Sequence, residues 1–202
     1  MTQTRMSKTD RREQLLGLAA EIVRKEGAER LTLLTLAERA GVSKPVTYNH
    51  FGDRKGLLVQ LYQGYDERLV QDIRGLDQAC APTLEGLAHK LAMAYFECTL
   101  RNGEVYDAVV AALCNYPEYR DLRIRICRYF VDFYHELFGP VVQLEPSQSL
   151  GDLISIYGAS DELARALTGG LLSKAEAVDA LSTLIIRTLG GGIRPSADGR
   201  LE

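Results

Sequence analysis

Residues Thr32 to Leu58 read TLLTLAERAGVSKPVTYNHFGDRKGLL, and this stretch decides the fold. Thr32 is placed to cap a short helix in which Leu33, Leu36, Ala37 and Ala40 recur at helical spacing, and Gly41 stops it. After the turn Gly41-Val42-Ser43, Ser43 can cap a second helix, where Pro45 falls harmlessly in the first turn. Two short helices joined by a tight turn containing glycine make a helix-turn-helix. Leu36, Ala37, Ala40 and Val42 supply the small core between them, which leaves Lys44, Tyr48, Asn49 and His50 free on one face of the second helix. Such side chains fit the major groove of DNA, where base edges display distinct donor and acceptor patterns. Tyr48 and His50 suit phosphate oxygens. Gly52-Asp53 then interrupts, and the helix beginning after Asp53 brings Arg54 and Lys55 to its N-terminus as a second anion site.

Outward from this segment the pattern stays helical. Leu15, Leu18, Ala19, Ile22 and Val23 form the apolar face of a first helix, with Asp10 and Glu13 as a capping pair and Gly27 as its stop. Leu58, Leu61, Tyr62, Tyr65, Leu69 and Ile73 line a long fourth helix. Five more are predicted: Pro82 to about Leu100, about Glu104 to Cys114, Pro117 to Gly139-Pro140, about Leu150 to Thr168, and a last one opened by the capping box Ser173-Lys174-Ala175-Glu176 and closed at Gly190. No long stretch alternates with period two. The expected fold is all-α with about nine helices: a helix-turn-helix DNA-binding domain over residues 1–56, a second helical domain over 57–193, and a polar disordered tail over 194–202.

Composition narrows the function. The chain has 202 residues, 46% hydrophobic and 25% charged, as in an ordinary globular protein. No apolar run approaches the ~18–20 residues needed to span a bilayer, and no signal peptide opens the chain, so a cytoplasmic location is expected. Residues 1–60 carry 11 Lys+Arg and 7 Asp+Glu, against 13 and 20 in the remainder of a total of 24 and 27. A basic N-terminal third on an acidic body suggests two parts with different partners. Cys80, Cys98, Cys114 and Cys127 form no C-x-x-C pair and read as small buried apolar residues, with a redox-sensing thiol as the minority alternative. Asp132/His135 and Glu85/His89 lie on single helix faces, but only the first has a metal-like i, i+3 spacing, so neither a metal nor any cofactor is expected. Without a glycine-rich phosphate loop or a nucleophile signature, the chain is not expected to be an enzyme.

The segment resembles the DNA-binding domain of the tetracycline-repressor (TetR) family of bacterial regulators. It matches at Thr32-x-x-x-Leu36-Ala37, Ala40-Gly41-Val42-Ser43, Tyr48-x-His50-Phe51 and the basic Arg54 before Leu57. The motif is long and gap-free but covers only about the first quarter of the chain; the later helices agree with the family in number, order and approximate length. The resemblance implies a homodimer on a palindromic double-stranded DNA operator, released by a small-molecule effector, and so a repressor; it assigns ligand binding and dimerisation to the domain over 57–193. By position, Lys44, Pro45 and Val46 would face the bases, while Thr32, Tyr48, Asn49, His50 and Arg54 would mainly hold phosphates; Ser43 and Lys55 complete the DNA-binding set. Two departures stand out. Thr47 replaces a usual core leucine, which implies looser packing, and Leu34 replaces a basic base-reading residue of some members.

The middle helices are rich in aromatic and soft side chains, of which Met93, Tyr95, Phe96, Tyr106, Tyr116, Phe130, Phe133 and Tyr134 are candidates to line an effector pocket. Such a pocket suits a mostly apolar or aromatic molecule. The dimer face is expected on the last helix, at Val178, Leu181, Leu184, Ile185 and Leu189.

Overall fold

The computed structural model describes residues 7–75, 82–144 and 146–191. The predicted tail over 194–202 and Cys80 lie outside the described residues. Eight α-helices follow in order: α1 (Lys8–Glu26), α2 (Leu33–Ala40), α3 (Lys44–Phe51), α4 (Arg54–Gly75), α5 (Leu84–Cys114), α6 (Leu122–Phe138), α7 (Pro146–Thr168) and α8 (Lys174–Gly190). There is no strand among the described residues, so the fold is all-α as the periodicity predicts.

Helix ends follow local chemistry. Thr32 caps α2 reciprocally with Thr35: each backbone N–H donates to the other's hydroxyl, at 2.9 and 3.0 Å. Gly41 ends α2 in the left-handed conformation, with φ 63° and ψ 33°, which costs glycine nothing sterically. Ser173 and Glu176 form the predicted box at the start of α8. At α1 the cap is Ser7 and not Asp10: the Ser7 hydroxyl accepts from Asp10 N–H at 3.0 Å, so the helix starts one turn earlier than expected.

Two other boundaries differ from expectation. The helices predicted on either side of Arg101–Gly103 are one 31-residue helix, α5. One glycine inside a helix costs only about 1 kcal/mol, and buried Phe96, Val105 and Val109 flank it, so burial outweighs the local break. Pro117 opens only a single 3₁₀ turn, Pro117–Tyr119, and α6 starts afterwards at Leu122.

The chain forms two compact units. The first comprises the residues through Arg68 together with Arg101–Ile124; the second comprises Leu69–Leu100 together with the residues from Arg125 onward. In the first, Leu15, Ala19 and Ile22 of α1, Leu36 of α2, and Leu57 and Leu58 of α4 are fully or almost fully buried. In the second, Leu91, Phe96, Tyr134, Phe138, Ile156, Leu181 and Ile185 form the buried core.

Candidate nucleic-acid interface

The short α3 is divided cleanly between two environments. Thr47 and Phe51 are buried, at 0% and 5% exposure, and fix one face of the helix to the rest of the unit. Lys44, Pro45, Tyr48 and Asn49 are exposed on the other, as is the N-cap Ser43. Val46, His50, Thr32, Arg54 and Lys55 are half-buried. Of the expected base-facing trio, Lys44 and Pro45 are thus freely presented and Val46 is partly covered.

Thr47 does not loosen the packing. Its hydroxyl donates to the Leu33 carbonyl at 2.9 Å and also reaches the Lys44 carbonyl at 3.0 Å, so the buried oxygen is satisfied and α3 is tied to the first turn of α2. The turn after α3 is equally specific. A side chain on Gly56 would place its Cβ 2.1 Å from the Phe51 carbonyl oxygen, so only glycine permits this close approach of α4 to the end of α3. Asp53 caps α4 by accepting from Gly56 N–H at 2.7 Å.

His50 lies beside positive charge from α1. Its pKa is lowered first by burial and then by Lys8, Arg12 and Arg11, which favours the neutral imidazole at neutral pH. Arg12 Nε donates to Gln60 Oε1 at 2.9 Å, and the Gln60 amide donates to the His50 carbonyl at 3.3 Å. These two bonds join α1, α4 and the end of α3. The resulting surface combines the free face of α3 with three cations of α1, an arrangement suited to the phosphate backbone.

Arg54 is committed differently from its expected phosphate role. Its guanidinium donates to the Ala28 carbonyl at 2.7 Å, the Leu31 carbonyl at 2.8 Å and the Tyr116 hydroxyl at 3.2 Å. It thereby satisfies the carbonyls of the α1–α2 connection and holds α2 in place. Lys55 pairs with Glu118 at 2.6 Å, which raises the ammonium pKa and lowers that of the carboxyl, the hydrogen bond being the larger cause in each case. Sequence reading missed Lys8, Arg11, Arg12, Gln60 and Glu118, and placed Tyr116 in the effector pocket instead. The basic bias of the first sixty residues was the only hint of the first three; the others come from segments tens of residues away.

The eight candidate pocket residues divide between the two units. Tyr106 and Tyr116 belong to the first unit, where Tyr116 meets Arg54 and Tyr106 meets Tyr65 edge-on with centroids 6.3 Å apart. Met93, Tyr95, Phe96, Phe130, Phe133 and Tyr134 belong to the second, all buried or half-buried. The expected dimer stripe is turned inward: Val178, Leu181, Ile185 and Leu189 are buried within the chain and Leu184 is half-buried. Among the described residues no group of three or more His, Cys, Asp or Glu side chains could hold a metal ion, and no helix is long and apolar enough to cross a membrane. Cys98, Cys114 and Cys127 form no disulfide among the described residues and are half-buried; burial and then the Asp161 charge push the Cys127 thiol up, away from the reactive thiolate.

A capped α2, a glycine corner and an anchored α3 with a free polar face define a helix-turn-helix DNA-binding domain. Residues 15–61 match the family model of the bacterial regulatory proteins of the tetR family. The chain carries a tetR-family DNA-binding domain in a TetR-like fold. Among solved structures, it is similar to a TetR-like transcriptional regulator from Rhodococcus sp. RHA1, with 17% identity and a TM-score of 0.68 over 93% of this chain and 100% of that one. In sequence it is 37% identical over 70 residues to the HTH-type transcriptional activator FasR of Mycolicibacterium smegmatis, covering 35% of this chain and 32% of that protein. It is also 34% identical over 79 residues to the nucleoid occlusion factor SlmA of Vibrio campbellii, covering 39% and 40%. The chain thus spans less than half the length of the curated relatives it matches.

Proposed function

We propose that the protein is a dimeric, ligand-responsive transcriptional repressor that binds a palindromic operator in the cytoplasm and has no catalytic activity. The observation that carries this reading is the division of α3, with Thr47 and Phe51 locked inside and Lys44, Pro45, Tyr48 and Asn49 presented outside. Lys44 and Pro45 are assigned to base edges, and Ser43, Tyr48 and Asn49 to bases or adjacent phosphates. Lys8, Arg11 and Arg12 add phosphate contacts beside His50. Arg54 is assigned a positioning role, and Lys55 meets phosphate only when Glu118 releases it. Residues 1–56 serve as the reading domain, and the effector is taken up within 57–193.

Dimerisation is assigned to the outer side of α7 and α8. Leu150 and Ile154, one turn apart on α7, are 51% and 45% exposed, and Leu171 between the two helices is 82% exposed. A second copy would cover these exposed apolar side chains. Effector and DNA are then linked: a ligand that favours mis-spaced α3 helices weakens DNA binding by the same factor that DNA weakens ligand binding. FasR is named an activator; the same reader activates or represses according to where its site lies relative to a promoter.

The test is selection of bound fragments from sheared genomic DNA of the source organism at one stated salt concentration, alongside light scattering of the free protein. A recovered pseudo-palindrome and a mass of twice the chain are expected. Purely salt-sensitive, sequence-independent binding, or a monomer at micromolar concentration, overturns the reading.

A further inference from the structure

The second unit contains a polar cluster that its own packing does not complete. Tyr95 of α5 donates its hydroxyl to Asp161 Oδ1 of α7 at 2.8 Å, and Asp161 Oδ2 lies 3.5 Å from the Arg165 guanidinium. Between α6 and α7, the rings of Phe130 and Tyr157 stack with centroids 6.0 Å apart and planes 22° from parallel. Tyr134 of α6 meets Phe130 on one side and is itself 1% exposed. Burial raises the phenol pKa of both Tyr95 and Tyr134, and the Asp161 charge raises each further, so both hydroxyls hold their protons and an anion faces them.

Within this cluster the Tyr134 hydroxyl has no hydrogen-bond partner among the described residues. Ser160 is near enough to lower its pKa slightly, but it stands outside hydrogen-bonding geometry, and its own hydrogen goes to the Ile156 carbonyl at 2.9 Å. A fully buried hydroxyl left unpaired is costly and rare, and a phenylalanine would fill the same space without that cost. The oxygen therefore has a use outside the packing of the core.

We propose that Tyr134 Oη is the hydrogen-bond donor of an effector site between α5, α6 and α7, and that the site takes a compact neutral phenol. The orphaned hydroxyl has a hydrogen to donate, which a ligand acceptor satisfies. Asp161 beside it is an acceptor, so the same ligand atom does best to carry a hydrogen as well. A phenolic hydroxyl does both: its oxygen accepts from Tyr134 and its hydrogen goes to the Asp161 carboxylate. The surrounding rings of Tyr95, Phe130 and Tyr157 favour a flat aromatic body. A carboxylate ligand of equal size is excluded by the Asp161 charge. This proposal rests on the reading of the second unit as the effector-binding part.

The experiment compares phenol, toluene and benzoate as probes, by calorimetry and thermal shift, on the full chain and on Tyr134→Phe. The chain is expected to bind phenol at least about fivefold more tightly than toluene, the worth of one hydrogen bond, and to reject benzoate. Tyr134→Phe should melt at or above the wild-type temperature and bind phenol and toluene alike. The proposal is overturned if wild type does not distinguish phenol from toluene, if neither binds, if the preference survives in Tyr134→Phe, or if that variant melts well below wild type. Adding phenol to the protein–DNA complex separates the two readings. Tyr134-dependent phenol binding that leaves DNA bound keeps the site and overturns ligand release, whereas specific DNA binding with no phenol preference overturns the site alone.

Discussion

The two compact units differ in how completely they pair their buried polar groups. In the first, Thr47 gives its hydrogen to Leu33, Arg54 serves two carbonyls and a phenol, and Asp66, 7% exposed, is bonded by Tyr106. In the second, the buried Tyr134 Oη and His135 Nε2 have no partner among the described residues. A DNA reader must hold α3 in one orientation, and satisfied polar contacts do this because each has a defined direction. A unit that responds to a ligand gains from the reverse, since a group left incomplete makes the bound state better than the free one.

The largest break in this contrast comes from Arg54→Ala. It removes three charge-assisted bonds, leaving the Leu31 carbonyl without the guanidinium and the Ala28 carbonyl with only the Leu31 N–H, for a loss of roughly 4 kcal/mol in urea unfolding. Arg54→Lys should recover little, because one ammonium cannot reproduce the fork. A stability change within experimental error, with reduced salt dependence of DNA binding, would instead make Arg54 a phosphate ligand.

Asp66 gives the next effect. Its pKa is raised from 3.8 to about 7, burial being the largest cause and the Tyr106 bond opposing it. The folded state therefore holds a proton that the unfolded chain releases near pH 4. Stability from this group is complete below pH 4 and is lost as pH rises to about 7, a change of roughly 4 kcal/mol. Urea unfolding from pH 4 to 8 should show that slope in the wild type and a flatter profile in Asp66→Asn; identical profiles would show that Asp66 is charged in the fold.

Thr47→Val keeps the volume and deletes the bond to Leu33, so a loss of roughly 1–2 kcal/mol is expected, together with weaker DNA binding as α3 loosens. A variant as stable as wild type would mean that shape alone anchors α3. The smallest effects concern exposed charge. Lys8→Ala should leave unfolding unchanged and reduce the slope of log affinity against log salt by about one. Glu118→Gln frees Lys55 and should strengthen DNA binding by about two- to threefold at low salt. No gain would mean that Lys55 does not reach phosphate.

Much of the reading domain was legible in the residues because its signals are local. A cap and its partner stand three residues apart, as at Thr32 with Thr35, and a glycine corner acts where it stands, as at Gly41; the box of Ser173 with Glu176 on α8 was legible for the same reason. The start of α1 was misplaced because Ser7 and Asp10 are both good caps and only geometry chooses between them. The break expected near Gly103 failed because its local cost was small beside the burial on either side.

What the residue types also could not give was partnership across the chain. Arg54 near a helix start looks the same whether it faces a phosphate or the Ala28 and Leu31 carbonyls, and Gln60 shows no sign of bridging Arg12 to His50. The apolar row on α8 was visible, but not that it turns into its own chain. By itself the sequence determined the helical class and the helix-turn-helix, since helix periodicity and capping act over a few residues. The tertiary structure alone decided which cations are free, which tyrosines share a unit and which hydroxyl is left unpaired, because those properties depend on which distant groups meet where water is excluded.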